Sequence, residues 1–222
     1  MGFELDHIFV CVEPEAPEAE FIKGFGFQES NRRSHIGQGT ANVCFLFHNT
    51  YLELIWLRDI NEILSSVVRP LGLWERCCWG ETEACPFGIS LRSNVPDSLE
   101  LPFATWNYYA PYLPAGASIP IAANSENLSE PLIFMSPVSR IPSASPLKRG
   151  LLVNKPGFDE ITKLRVTLVG EKNFSAELRK LSELGLVELK RGDRYHLEIE
   201  FNQAQAGQIQ LFDSKLPISF RW

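Results

Sequence analysis

The chain has 222 residues, 45% of them hydrophobic, and 27 acidic against 21 basic side chains give it a net charge of −6. That is enough for one good-sized domain, or for two small modules sharing a core. No Lys/Arg-rich run concentrates positive charge, so a nucleic-acid partner is excluded. The most apolar early stretch, FELDHIFVCV, holds Glu4, Asp6 and His7 and lacks a basic lead-in, which fits neither a signal peptide nor a membrane span. A cytoplasmic protein follows. Its cysteines (Cys11, Cys44, Cys77, Cys78 and Cys85) are odd in number and lack the short CxxC hooks of structural zinc sites, so reduced thiols are expected.

Residues 3 to 12 read as a strand with His7, Phe9 and Cys11 on one face and Ile8, Val10 and Val12 on the other, a pattern suited to burial on both sides. Pro14 and Pro17 open a short helix, and Gly24 and Gly26 close it. The next strand begins at Phe25 or Phe27. After the polar stretch SHIGQGTAN, the runs VCFLFHN and YLELIWL form a hairpin turning at His48 to Thr50, completing a βαβββ unit over residues 1 to 60. Asp59 with Glu62 makes a capping box. Ile60, Ile63, Leu64, Val67 and Val68 share one helical face, so a helix runs to about Val68 within a helical connector over 61 to 84.

The segment 85 to 146 is proline-rich, with strand-like pieces PFGISLRS, TWNYYAPYL, SIPIA and PLIFMS, and RIPSASPLKRG reads as an exposed connector. Over 160 to 222 the opening pattern returns: the strand TKLRVTLVG, a helix burying Phe174, Leu178 and Leu181 and closed by Gly185, then VELKRG, YHLEIEF and QIQLFDS. Anchoring Val12 on Val169 supports the repeat, since Glu53 and Gln210 each follow their anchor by 41 residues. The fold class is therefore α+β, with repeated βαβββ modules and an irregular proline-rich middle.

LDHIFVCV, FIKGFGFQES, HIGQGTANVCFLF and YLELIW together resemble the first module of a glyoxalase-like domain of the vicinal oxygen chelate superfamily. The resemblance implies paired modules whose mixed sheets curl into a cup around a divalent metal, on which adjacent substrate oxygens chelate. It places metal ligands, and catalytic residues, at His7 in the first strand and Glu53 in the fourth. It further implies lyase, isomerase or dioxygenase chemistry on a small oxygenated molecule. An imidazole and a carboxylate suit zinc, manganese, iron or nickel. A third ligand is not evident. If residues 162 to 222 supply the partner module, the equivalent positions are Leu164 and Gln210; if the middle segment does, they are Ser90 or Met135.

Two readings of His7 and Glu53 stay open: metal ligands, or a hydrogen-bonded pair across the sheet that acts as acid and base without metal. The loop HIGQGTAN puts Gln38, Thr40 and Asn42 beside two glycines, either as a substrate-binding rim or as a turn whose glycines supply positive φ. Trp56, Trp106 and Tyr108 are candidates to line an apolar pocket. His35 and His48 read as surface or loop histidines, and His196, Glu198 and Glu200 as a solvated strand face. The second functional reading is a metal-free module that sequesters a hydrophobic compound without turnover. A third is a scaffold forming a homodimer through a C-terminal edge strand at ISFRW.

Overall fold

A computed structural model of the chain describes residues 2–30, 32–94, 101–136, 158–171, 173–212 and 216–222. The first unit consists of β1 (Phe3–Cys11), α1 (Ala19–Gly24), β2 (Arg33–His35), β3 (Thr40–Leu46) and β4 (Tyr51–Leu57). The β3–β4 hairpin turns over residues 47 to 50, and β4 returns parallel to β1. The expected strand at Phe25 or Phe27 does not form. Phe27 is instead buried edge-on against Phe47, Phe158 and Phe220, and β2 starts only at Arg33 and runs to His35, into the stretch SHIGQGTAN read as a loop.

The connector holds α2 (Ile60–Ile63), a 3-10 turn at Arg69–Leu71, α3 (Leu73–Cys77) and α4 (Trp79–Thr82). The helix expected to reach Val68 stops at Ile63. Ile60, Leu64 and Val67 are exposed, so packing supports the apolar face only at Ile63 and Val68, and short helices depend on such packing. The capping box is half made: the Asp59 carboxylate accepts from the Asn61 and Glu62 amides, while Glu62 turns away to another loop.

Strands β5 (Phe87–Ser93), β6 (Thr105–Tyr108), β7 (Ile119–Ala122) and β8 (Leu132–Met135) follow, matching the four strand-like pieces of the middle segment. They decide how the cup is built. The large sheet runs β2-β3-β4-β1-β5-β8-β7-β6, with β1 antiparallel to β5 at its centre and β8 parallel to β5 as β4 is to β1. Its two ends meet: Tyr108 of β6 reaches Gln38 beside β3, and Gly37 abuts Pro111, so the sheet curls without closing into a barrel.

The C-terminal segment forms β9 (Ile161–Val169), α5 (Ala176–Glu183), β10 (Glu188–Gly192), β11 (His196–Phe201), β12 (Ile209–Leu211) and β13 (Ile218–Arg221). Ser175 caps α5, and Leu178 and Leu181 are buried beneath it. The element order resembles that of the first unit, but the pairing differs. Here β9 lies between β10 and β11 in a five-stranded sheet, β10-β9-β11-β13-β12, whereas β1 neighbours the last strand of its own unit. This sheet packs on the convex side of the cup: Leu164, Val166, Ile199 and Phe220 share one core with Ile8, Val10, Leu54 and Ile89. Thus β1 is covered on both faces, with Phe9 and Cys11 in the concave cluster.

Leu164 is therefore core, and Gln210 sits on the β12 edge away from the cup. The ISFRW segment is not an edge, because β13 is flanked by β11 and β12. On the outer face of β11, Glu198 and Glu200 pair with Arg165, and His196 contacts Ser219. The connector expected at 140 to 150 lies outside the described residues. Among the described residues no cysteine is in a disulfide and no helix is long and apolar enough to cross a membrane.

Candidate functional site

The concave face of the large sheet encloses a cavity of about 420 Å³. His7 of β1 and Glu53 of β4 project into it because both occupy inward positions of neighbouring parallel strands, Phe9 being paired with Glu53 and His7 with Tyr51. His7 Nε2 and Glu53 Oε2 stand 3.4 Å apart. The imidazole stacks on Tyr51, with ring centroids 4.4 Å apart, and meets the edge of Phe134. Glu53 Oε1 accepts from Asn42 Nδ2 at 2.5 Å, which fixes the carboxylate's orientation.

Asp6 is the site residue that alternation could not find. Its neighbour in sequence, His7, faces the cavity, so a regular strand would turn Asp6 away. A register shift between Leu5 and His7 in the β1–β5 ladder makes Asp6 the extra residue of a bulge, and its Oδ1 lies 2.6 Å from His7 Nδ1. Bulges re-aim side chains in this manner beside active sites. Read as a carboxylate, Asp6 accepts a hydrogen bond from Nδ1–H and so favours the tautomer that leaves Nε2 unprotonated. The 3.4 Å gap to Glu53 is longer than a charge-assisted hydrogen bond, in keeping with no shared proton there.

His35 is no surface histidine. It ends β2 on the cavity wall, almost wholly buried, with Nδ1 2.9 Å from Thr40 Oγ1 and its ring against Tyr112. Burial lowers its pKa below 6.5; Glu53 opposes this, and Arg33 and His7 add to it. Gln38 lines the cavity and donates to Thr40 Oγ1 at 2.8 Å, while Tyr108 OH donates to Gln38 Oε1 at 3.1 Å. Burial pushes the Tyr108 phenol up, and that of Tyr112 up to about 12, so both stay protonated. Burial likewise raises Tyr51 well above its ordinary value.

The loop before β3 is held by two devices. Gly37 and Gly39 have φ of +82° and +80°, and a Cβ on Gly39 would lie 2.4 Å from Asp59 O. Glu62 Oε2 accepts from the amides of both glycines, at 2.9 and 3.0 Å. The turn and rim readings thus describe one object: positive-φ glycines set the turn, and the turn presents Gln38. Thr40 and Asn42 belong to β3, where Asn42 lines the cavity and Thr40 lies fully buried behind His35.

Of the aromatic candidates, Tyr108 lines the cavity. Trp56 does not: it alternates with Ile55 on β4 and packs into the convex core beneath the Arg32 guanidinium. Trp106 packs at the margin of the concave cluster, its indole donating to Ser125 Oγ. An apolar part of the wall is formed by Leu71, Leu73, Leu113, Ile119, Ile121 and Leu132.

A divalent metal fits this donor set poorly. The module that completes the cup is the middle one, and its residue across from His7 is Ser90, buried and outside the cavity lining, while β8 turns Phe134 inward and Met135 into the core. His7 Nδ1 is committed to Asp6. His7, Glu53 and His35 share the cavity, but among the described residues no three His, Cys, Asp or Glu side chains converge as ligands. Catalytic zinc commonly takes three.

No curated protein matches the chain in sequence. A hypothetical protein from Staphylococcus aureus shares the fold, with a TM-score of 0.60, 12% identity, and 100% of this chain and 99% of that one covered. Methylmalonyl-CoA epimerase, solved with methylmalonyl-CoA and NH4+, aligns at a TM-score of 0.42 and 13% identity over 64% of this chain and 100% of that one. The family model described as a glyoxalase-like domain matches residues 5–73, from β1 through the first residue of α3, and so contains His7, His35, Gln38, Asn42 and Glu53. Over that segment, about a third of its length, the chain is similar to glyoxalase-like domains.

Proposed function

We propose that the cup binds a small oxygenated organic molecule and that His7 moves a proton on it without a resident metal. The observation that carries this is a single imidazole set between two carboxylates on a cavity wall. Asp6 orients the ring and leaves Nε2 as the acceptor; Glu53, 3.4 Å from Nε2, stabilises the imidazolium that forms when a proton arrives. Binding follows from the lining. The polar end of the ligand meets His7, Glu53, Asn42 and Gln38, its apolar end lies on the leucine and isoleucine wall, and the volume is ordinary for such sites. The protein works in the cytoplasm, where its thiols stay reduced.

The test is solvent-deuterium exchange into aryl and alkyl α-keto acids, followed by proton NMR on chelator-treated protein. Exchange above background in the wild type, lost in His7→Gln, is the expected result. Exchange that appears only after zinc, manganese, iron or nickel is restored would overturn the metal-free reading. Binding without exchange would leave the sequestering module, which the apolar wall also suits.

A further inference from the structure

Four polar groups of the cup form one directional hydrogen-bond chain, which ends at His35 on the cavity wall. Tyr108 OH donates to Gln38 Oε1, and Gln38 Nε2 donates to Thr40 Oγ1. Thr40 has one hydroxyl proton, and His35 Nδ1, 2.9 Å away, is the acceptor within reach. Donation from Thr40 to Nδ1 puts the neutral ring's own proton on Nε2. The reverse arrangement would make Thr40 accept twice and strand its proton in a fully buried place, an unsatisfied donor that folded proteins avoid. Tyr112 holds the ring plane from one side, with centroids 4.9 Å apart.

The two cavity histidines therefore carry opposite tautomers. Asp6 makes His7 an acceptor at Nε2, and the Thr40 chain makes His35 a donor at Nε2. Resting on the proton-transfer reading above, we propose that His35 is a preset neutral donor that hydrogen-bonds the carbonyl oxygen of a ketone with an apolar substituent, while His7 deprotonates the adjacent carbon. The C–H bond breaks, and its proton goes to His7 Nε2. Its electron pair forms the carbon–carbon double bond of the enolate, whose negative oxygen stays on the His35 N–H. Return of a solvent proton to carbon completes the exchange with no oxidant or reductant. A neutral imidazole suits this role because its N–H, a far weaker acid than that of an imidazolium, stabilises the enolate oxygen without giving up its proton, and burial favours the neutral His35. The substituent then rests on the apolar wall.

Nitrogen NMR of the imidazoles and two probes, phenylpyruvate and hydrocinnamate (the same skeleton without the keto oxygen), test this. The expected spectrum shows His35 as Nε2–H and His7 as Nδ1–H at neutral pH, with Thr40→Val, a positioning change, mixing the His35 tautomers. Phenylpyruvate should bind the wild type about three- to tenfold more tightly than hydrocinnamate, the worth of one neutral hydrogen bond. His35→Phe should erase that preference and slow exchange, and His35→Gln should restore part of both. A His35 found as Nδ1–H or cationic overturns the proposal whatever the state of the variants. So does a preference or exchange rate that His35→Phe leaves unchanged, in which case the His7 reading survives. Phenylpyruvate that binds the wild type without exchanging overturns proton transfer by His7 and the proposal together, and failure of both probes to bind overturns the ligand class.

Discussion

Glu62 offers a sharp test of how the cup's rim is held, because sequence and structure give it different partners. Its Oε2 takes the amide protons of Gly37 and Gly39 at 2.9 and 3.0 Å, with Arg58 at 3.7 Å. Hydrogen bonds to a charged group contribute about 1.5–3 kcal/mol each when buried; with the Glu62 side chain 27% exposed the lower part of that range applies, so Glu62→Ala should cost about 1–3 kcal/mol in total. At about 2–4 °C per kcal/mol for a chain of this size, the melting temperature should fall by about 2–12 °C. Glu62→Gln keeps a neutral acceptor and should lose about half as much. Amide hydrogen exchange locates the loss: protection should vanish at Gly37 and Gly39 first, since their N–H groups would have no other partner. If exchange rises instead at the amide of Asp59, with Gly37 and Gly39 unchanged, Glu62 is the reciprocal partner of a capping box and the rim is held by something else.

Three further outcomes follow from particular contacts. Folding depresses the His35 pKa below its ordinary 6.5, so the unfolded chain binds more protons between the two values; stability should be full above about pH 6.5 and fall as pH drops through the folded value, and a wild-type slope equal to that of His35→Gln over this window would refute it. Gly88→Ala would put a Cβ 2.0–2.4 Å from the Phe9 ring, and overpacking of that kind costs about 1–3 kcal/mol; denaturant unfolding should show the loss, and Phe9→Leu in the same chain should recover it. Asn49 binds both the carbonyl and the amide of Ile161, at 2.8 and 3.1 Å, pinning the β3–β4 turn to β9, so Asn49→Ala should lower stability by about 2–4 kcal/mol; a change below about 0.5 kcal/mol in chemical denaturation would show that the two sheets are held together without it.

Periodicity made most strands readable, and it worked best where burial is two-sided or strictly alternating. In β1 the split between Ile8, Val10 and Phe9, Cys11 is the split between two cores. The same rule, applied to β4, would have sent Trp56 outward with Leu52 and Leu54 while keeping Glu53 in the cavity. Where it failed, a contact distant in sequence had intervened. Phe27 left the strand pattern to join an aromatic cluster built from the C-terminal unit, and α2 ended early because no surface covers Leu64 and Val67.

By itself the sequence determined the α+β class and the strands of the cup, because both depend on short-range alternation and residue type, while the choice of His7 and Glu53 came from the glyoxalase-like resemblance over the first unit. Only the tertiary structure decided which segment completes the cup, since β5 to β8 and β9 to β13 are both strand-rich and pairing is a choice between partners far apart in the chain. It also decided the rest of the site. Asp6 enters through a one-residue bulge, and His35 through a strand too short to register as a pattern. Gln38 is oriented by a tyrosine 70 residues away. Such groups are fixed by the unique satisfaction of buried hydrogen-bond donors and acceptors, a property of the closed cavity that no local stretch of chain encodes.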